Sequence, residues 1–510
     1  MLYSIGFVLA LIGLLGLMLD RKGLETLRLA FFPGLGLWFI GLITSSASLQ
    51  VVLGQSFTDL LFLGGAALLF RAVATTRFAV PLSIVALLSM VAFHQAFEPK
   101  QQHGSQEAAA EALDNSLNLD SGAELLVELN HEENWERWKR WIMQQGWETS
   151  RAFDPSRADQ TDLDDYWVVN IPADQMANIE SIMQRIEETG WVDWVEPNEI
   201  IQIEINPART LPKLNKQLGV NDPGVSEQWA LAALEMDKLY RQLNDAQVRP
   251  QEKALIVVLD TGVDAQHEDL KDNFRSIKKS HNNDPQGHGT HCAGIIGAVT
   301  NNGVGVASYA RNNEFFEISS VKVLSAGGSG TQQSIIKGMI EAVDAGADVL
   351  SMSLGGFSTQ SRQRAYSQAV KYATDRGAIV VASAGNSNRD AAGFAPVNST
   401  GIIGVSAIDN QLQRAGFSNR VNRIEMAVAA PGVGIYSTKP NNTYAAHNGT
   451  SMAAPYVSGI IGIMKSVRPS LTNKEAFKIL QQTGKNTKDT QNTGKLIQPA
   501  AALEAVLQGS

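Results

Sequence analysis

A carboxylate, an imidazole and a hydroxyl can together activate an oxygen nucleophile. Three short segments offer that set in the order Asp, His, Ser. The first is DTGVD at 260–264. It ends ALIVVLD (254–260), a short β-branched apolar run of the kind that buried parallel strands show. Open α/β sheets place ligands at the C-terminal ends of such strands, so Asp260 could orient a histidine there. The second is GHGTHCAGIIGAV at 287–299. His288 stands at the start of a tightly packed Ala/Gly/Ile helix, where neutral imidazole can take a proton from a hydroxyl near physiological pH. His291 is the alternative base, but three residues along a helix it would point back into the packing. A two-histidine metal site would want the neighbouring Glu of HExxH, which is missing. The third is NGTSMAAPYVSG at 448–459. Gly449 permits close backbone approach, and Pro455 falls early in a helix beginning near Ser451. A serine there gains backbone N–H groups for a developing oxyanion. Alone, such a serine is more often a helix cap; the three segments together reverse that judgement.

A fourth run, VVASAGN (380–386), reads as a buried strand running into Gly385 and Asn386. Standing alone, that Asn would be a turn residue. The Asp–His–Ser order and the sequences DTGVD, GHGTHCAG and GTSMAAP resemble the subtilisin (S8) family over about 221–508. The resemblance implies a doubly wound, mostly parallel α/β sheet. It implies a serine endopeptidase that cuts a polypeptide substrate through an acyl-enzyme. On it, Ser451 attacks the carbonyl, His288 carries the proton, Asp260 holds the imidazole tautomer and Asn386 completes the oxyanion site. VKVLSAGGSG (321–330) resembles one edge of the substrate cleft, with Gly328, Ser329 and Gly330 facing the peptide. MSLGG (352–356) resembles the other, with Ser353, Leu354 and Gly355 beside the S1 pocket. An extended peptide would add between them as a strand. The pocket walls that can be named, Ala384 and Gly393, are small and uncharged, which predicts a large apolar P1 side chain.

The resemblance implies no organic cofactor and a structural calcium. TNNGVGV (300–306), with Asn302, looks like the family's calcium loop, and Asp269 and Asp222 match other oxygen ligands. A plain Asn-Gly turn beside exposed acids is the alternative. Cys292 is the sole cysteine, so no intrachain disulfide can form. Beside an Ala/Gly helix it reads as a small buried hydrophobe rather than a reactive thiol.

The rest of the 510 residues must hold and position this machinery. A net charge of −9 argues against a nucleic-acid partner. Residues 1–97 hold four apolar runs, at 2–19, 29–48, 51–70 and 78–97. Each approaches the ~20 residues that a membrane-spanning helix needs. Asp59 interrupts the third, and a cleaved signal peptide is the rival reading of the first, which lacks a basic start. Arg21, Lys22 and Arg28 follow the first run, and Arg71 and Arg77 follow the third. Keeping both basic loops inside puts the N-terminus and everything after residue 100 outside; three spans, with 51–70 not crossing, would instead put the protease in the cytoplasm but leave Arg71 and Arg77 on the wrong side. A multi-pass protein of a bacterial cell membrane, with its catalytic domain outside the cytoplasm, is therefore expected.

A polar linker is expected over 98–121, then a small two-layer domain over 122–205, a second linker over 206–220 and the catalytic domain over 221–508. The small domain shows strand-like runs at 123–129, 165–171, 191–197 and 199–205 and helices at 132–145 and 173–190. We assign the domain as a whole to the ferredoxin-like class, whose order is β-α-β-β-α-β. Trp135, Trp138 and Trp141 recur at helical spacing, which predicts a core-facing stripe. WVDWVEPNEII (191–201) resembles the inhibitor-like propeptide of the same family. That implies an intramolecular inhibitor whose last strand, ending near Glu204, lies in the substrate cleft.

Overall fold

The computed structural model describes residues 119–509, apart from 132–133, 204–205, 209–217, 246, 312 and 359–362. The four expected membrane spans, most of the first linker and Glu204 lie outside the described residues. Among the described residues, no helix is long and apolar enough to cross a membrane.

The first elements are β1 (Leu125–Leu129), α1 (Trp135–Gln144), β2 (Glu148–Arg151), β3 (Tyr166–Asn170), α2 (Ile179–Glu187) and β4 (Val192–Pro197). The strands form one sheet in the order β2-β3-β1-β4, with every neighbour antiparallel. The sequence LLVEL reads as a continuous run because β1 is buried on both faces. Side chains alternate across a strand. Leu125, Val127 and Leu129 pack with Trp138, Ile142, Ile182 and Ile186 of the two helices. Leu126 instead joins a cluster that includes Ile336, Tyr366 and Ala369, far along the chain. Trp138 is fully buried, whereas Trp135 and Trp141 are half-buried, and Trp135 stacks on Trp167 with centroids 3.6 Å apart.

Two expectations change here. The second strand of the small sheet is Glu148–Arg151, an edge strand whose polar residues (ETSR) gave no apolar signal. The run 199–205 does not join that sheet. Within it, β5 (Ile200–Gln202) pairs antiparallel with Ser329–Thr331. The stretch expected as a linker after 205 opens with a further short strand, β6 (Asn206–Pro207), paired with His447 and Asn448.

The larger sheet has seven parallel strands. Their order is Lys495–Leu496, Ala427–Pro431, Ile402–Ile408, Ile379–Ser383, Val349–Met352, Ala254–Asp260 and Phe316–Lys322. Ile256, Val258, Val349 and Val381 pack on one face against the helices His288–Gly297 and Thr450–Val467. Leu255, Val257, Leu350 and Val380 pack on the other against Gln332–Asp344 and Arg364–Asp375. Burial on both faces explains the unbroken apolar reading of Ala254–Asp260.

Candidate active site

Asp260 closes its strand at the C-terminal edge of this sheet, fully buried. Its carboxylate accepts the Thr261 N–H (2.7 Å), and both oxygens lie 2.9 Å from His288 Nδ1. That geometry selects the tautomer with a proton on Nδ1, leaving Nε2 as the basic nitrogen. His288 starts its helix because Gly287 adopts φ +89°, which lets the chain turn into the first helical residue. Asp284 braces the same turn. Its carboxylate accepts Gly287 N, Thr290 N, Thr290 Oγ1 and Thr261 Oγ1 at 2.7–2.8 Å. Sequence reasoning passed over Asp284. The spacing from Asp284 to Thr290, a carboxylate ahead of a helix start, is the signal that could have found it.

Burial pulls the His288 pKa down, but the Asp260 carboxylate outweighs it and holds the imidazole well above its ordinary range. His291 is buried, its Nε2 lies 3.0 Å from the Ala445 carbonyl, and burial pushes its pKa well down. It therefore packs structurally, as its helical position implied. Cys292 is buried, and burial raises its thiol pKa, so it stays neutral. Its Sγ donates to the Ser451 carbonyl at 3.5 Å. Asp260, His288 and Cys292 offer ligand atoms within 4.8 Å of one another. The carboxylate is already occupied by the imidazole N–H, so the group reads as an oriented base.

Ser451 is the second residue of an 18-residue helix, so its N–H has no acceptor within the helix. Its Oγ donates to the Ser353 carbonyl at 3.1 Å, while Ser353 Oγ donates back to the Ser451 carbonyl at 2.7 Å. His288 Nε2 is buried and has no hydrogen-bond partner. Rotation about the Ser451 Cα–Cβ bond exchanges the Ser353 carbonyl for another acceptor without moving the backbone. Catalytic hydrogen bonds often tighten only once substrate is bound.

Asn386 turns its Oδ1 to Thr450, accepting both N and Oγ1 at 2.9 Å. That fixes Nδ2 as the outward end. Gly449, at φ +154°, makes the cradle: a Cβ there would lie 3.5 Å from both Asn386 Nδ2 and Ser451 N. The two donors converge on one spot that any side chain at 449 would fill. Ala384 is fully buried, with its carbonyl taken by Asn419 Nδ2 (2.9 Å). Leu354 is buried nearby, Gly355 abuts the Ala395 carbonyl, and Gly393 abuts the Phe357 ring.

The chain itself fills the cleft edges. Ile201 is opposite Gly330 and Gln202 opposite Ser329, and Ile203 N donates to the Gly328 carbonyl at 2.9 Å. Ile201 is buried in the cluster of Leu354 and Ile335. Beyond residues 204–205, Asn206 and Pro207 pair with Asn448 and His447, and Ala208 N donates to the Ala446 carbonyl at 2.9 Å. Two segments of one chain thus flank Ser451 as added strands.

Asp222, Asp269 and Asn302 also come together. Asp222 accepts the N–H groups of Asn301 (2.8 Å) and Asn302 (3.2 Å). Asp269 accepts Asn302 Nδ2 (2.9 Å) and Val306 N (2.8 Å). Both acids are buried rather than exposed. Burial, with Asp222 and Glu268 adding repulsion, pushes the Asp269 carboxyl up to about 7.

The small sheet holds the larger unit through side chains that the sequence did not single out. Glu196 is fully buried and accepts Arg364 N (2.8 Å), Ala365 N (3.1 Å), Gln332 Nε2 (2.8 Å) and Trp194 Nε1 (2.9 Å). It caps the Arg364 helix, whose own N-cap residue supplies no side-chain bond. Glu128 takes Arg364 Nε (3.0 Å) and Nη2 (3.1 Å), and Asn198 Oδ1 accepts Gln333 N at 2.9 Å.

Residues 251–499 match the Subtilase family (Peptidase_S8). The chain is 41% identical over 256 residues to Subtilisin DY of Bacillus licheniformis, covering 48% of this chain and 89% of the relative. It is 42% identical over 228 residues to Thermitase of Thermoactinomyces vulgaris, covering 44% and 78%. It is 33% identical over 316 residues to Thermophilic serine proteinase of Bacillus sp. strain AK1, covering 61% and 71%.

Proposed function

The chain belongs to the subtilase family and is a subtilisin-type serine endopeptidase; on that premise we propose that it is a membrane-anchored zymogen, inhibited by its own small domain until it cuts itself. Ser451 Oγ, turned toward His288 Nε2, attacks the peptide carbonyl as the imidazole takes its proton. Asp260 holds Nδ1–H and stabilises the imidazolium. Asn386 Nδ2 and Ser451 N receive the oxyanion. His288 then returns the proton to the leaving amine, and water repeats the sequence on the acyl-enzyme.

The observation that carries the zymogen reading is that residues 200–202 pair with one cleft edge, Ser329–Thr331, and residues 206–207 pair with Asn448 and His447 just ahead of Ser451. Ile201, buried against Leu354 and Ile335, marks an apolar subsite four or so residues before the cut. We expect a large apolar residue at P1. The self-cut falls between Ile203 and Asn206. Mass spectrometry of the full-length protein tests this: the wild type yields a new N-terminus at 204, 205 or 206, and Ser451→Ala yields none. Cutting elsewhere, or in the alanine variant, rejects the reading.

The four apolar runs and their basic loops support the anchor and an extracytoplasmic catalytic domain. Accessibility of the protease domain to an added protease in intact spheroplasts tests that side. Asp222, Asp269 and Asn302 fit a structural calcium. They are hard oxygen donors, and two buried carboxylates with raised pKa values gain by pairing with a cation. Calcium would supply positive charge holding the 300–306 loop, with no part in bond cleavage.

A further inference from the structure

His447 stands four residues before Ser451, directly opposite Pro207 in the strand pairing. It is 6% exposed, and neither ring nitrogen makes a full hydrogen bond; the nearby Asn206 backbone favours the protonated ring by less than burial and the neighbouring cations oppose it. Nothing in the hydrolytic sequence uses it. An imidazole buried with two idle nitrogens is costly, so the burial comes from what lies over it. The cover is this chain's own 206–208 segment. The groups facing His447 carry positive or no charge. His291 packs edge-on with ring centroids 4.6 Å apart; burial, and after it repulsion from Lys439 and His288, pulls the His447 pKa to about 4. Lys439 has the Gln286 carbonyl at 3.4 Å as its hydrogen-bond partner and forms no ion pair with a carboxylate among the described residues.

We propose that His447 selects substrates with an acidic side chain at the primed-side position that Pro207 occupies here. This rests on the reading of residues 200–208 as a substrate-like path. With 206–208 gone, His447 becomes solvated and its pKa returns toward about 6.5. A carboxylate opposite it then pairs with imidazolium below that pH and loses that partner above it. Pro207 offers neither charge nor donor, which leaves both nitrogens idle in the covered state.

Three internally quenched peptides copying residues 198–211 test it, with Glu, Gln or Lys at position 207. The full-length protein is first incubated in detergent to process itself. We expect kcat/KM for the Glu peptide to exceed that for the Lys peptide about tenfold at pH 6 and less than about twofold at pH 8.5. In His447→Gln the ratio at pH 6 falls below about threefold. Equal cutting of the Glu and Lys peptides at pH 6, or a tenfold ratio kept by His447→Gln, overturns the proposal. Hydrolysis of casein without any cut between 203 and 206 in the peptides overturns the register beneath it instead.

Discussion

The surroundings of Ser451 and the domain that covers it solve the same problem on different scales. Around Ser451, each polar group is held from within the catalytic domain, some by chain neighbours and some by another motif of the same site. Asp260 is held by Thr261, His288 by the turn of Gly287, and Asn386 by Thr450, beside Ser451. In the small domain, the polar groups that matter find their partners far away. Glu128 reaches Arg364, Glu196 reaches Gln332 and Ala365, and Asn198 reaches Gln333. Chemistry is written within one domain, and docking is written across an interface. A change in the first region should therefore abolish turnover and leave docking intact, and a change in the second should do the reverse.

The sharpest break is Ser451→Ala. We expect kcat to fall about 10⁶-fold, with the small domain still docked and the chain uncut. Fluorophosphonate labelling and mass spectrometry read both. Asp260→Asn comes next, at about 10⁴-fold in kcat. It also removes the charge that raises the His288 pKa. Activity needs neutral imidazole, so the wild-type acid limb should lie above the ordinary histidine range and shift to lower pH in the variant. A pH profile with an unmoved limb would show that Asp260 does not set that pKa.

Asp269 gives a stability test. Its folded carboxyl titrates near 7 against an ordinary 3.8, so the folded state holds the proton longer than the unfolded one. Metal-free protein should then lose up to about 4 kcal/mol as pH rises from about 4 to 7. Bound calcium should abolish that slope. Melting followed with chelator and with calcium across this range checks it, and identical curves would remove the site. Asn386→Leu should cost about 10²–10³ in kcat with KM little changed.

How much of this was legible follows the same division. The strand Ala254–Asp260, the two helix starts at His288 and Ser451 and the Asn386 turn could be read, because each carries its apolar run and its functional residue together. The approach of Asp222 to Asp269 came from a family resemblance. Glu148–Arg151 could not be read, since an edge strand with exposed polar residues has no period to detect. Ile200–Gln202 has a clear apolar pattern that named a strand but not its partner, and the partner proved to be Ser329–Thr331. Glu128 and Glu196 look like ordinary acids in alternating strands. Only the placement of the Arg364 helix against β1 and β4 makes Glu196 a buried cap and Glu128 the partner of the Arg364 guanidinium.

Glu196 therefore gives the smallest but most discriminating test. Its carboxylate serves two helical N–H groups and two side-chain donors. Glu196→Ala strands those donors, and an unpaired buried group or lost cap costs about 1–3 kcal/mol. Glu196→Gln keeps one acceptor and turns the other toward groups that are themselves donors, so it should fall between. In a Ser451→Ala background, where no cut can occur, the Arg364 and Ala365 amides should exchange with solvent about 10–100-fold faster in Glu196→Ala. Amides of the Ser451 helix should be unaffected, because its core lies on the opposite face of the large sheet. If both sets accelerate together, docking and the catalytic core form one cooperative unit, and the division between local chemistry and long-range docking fails.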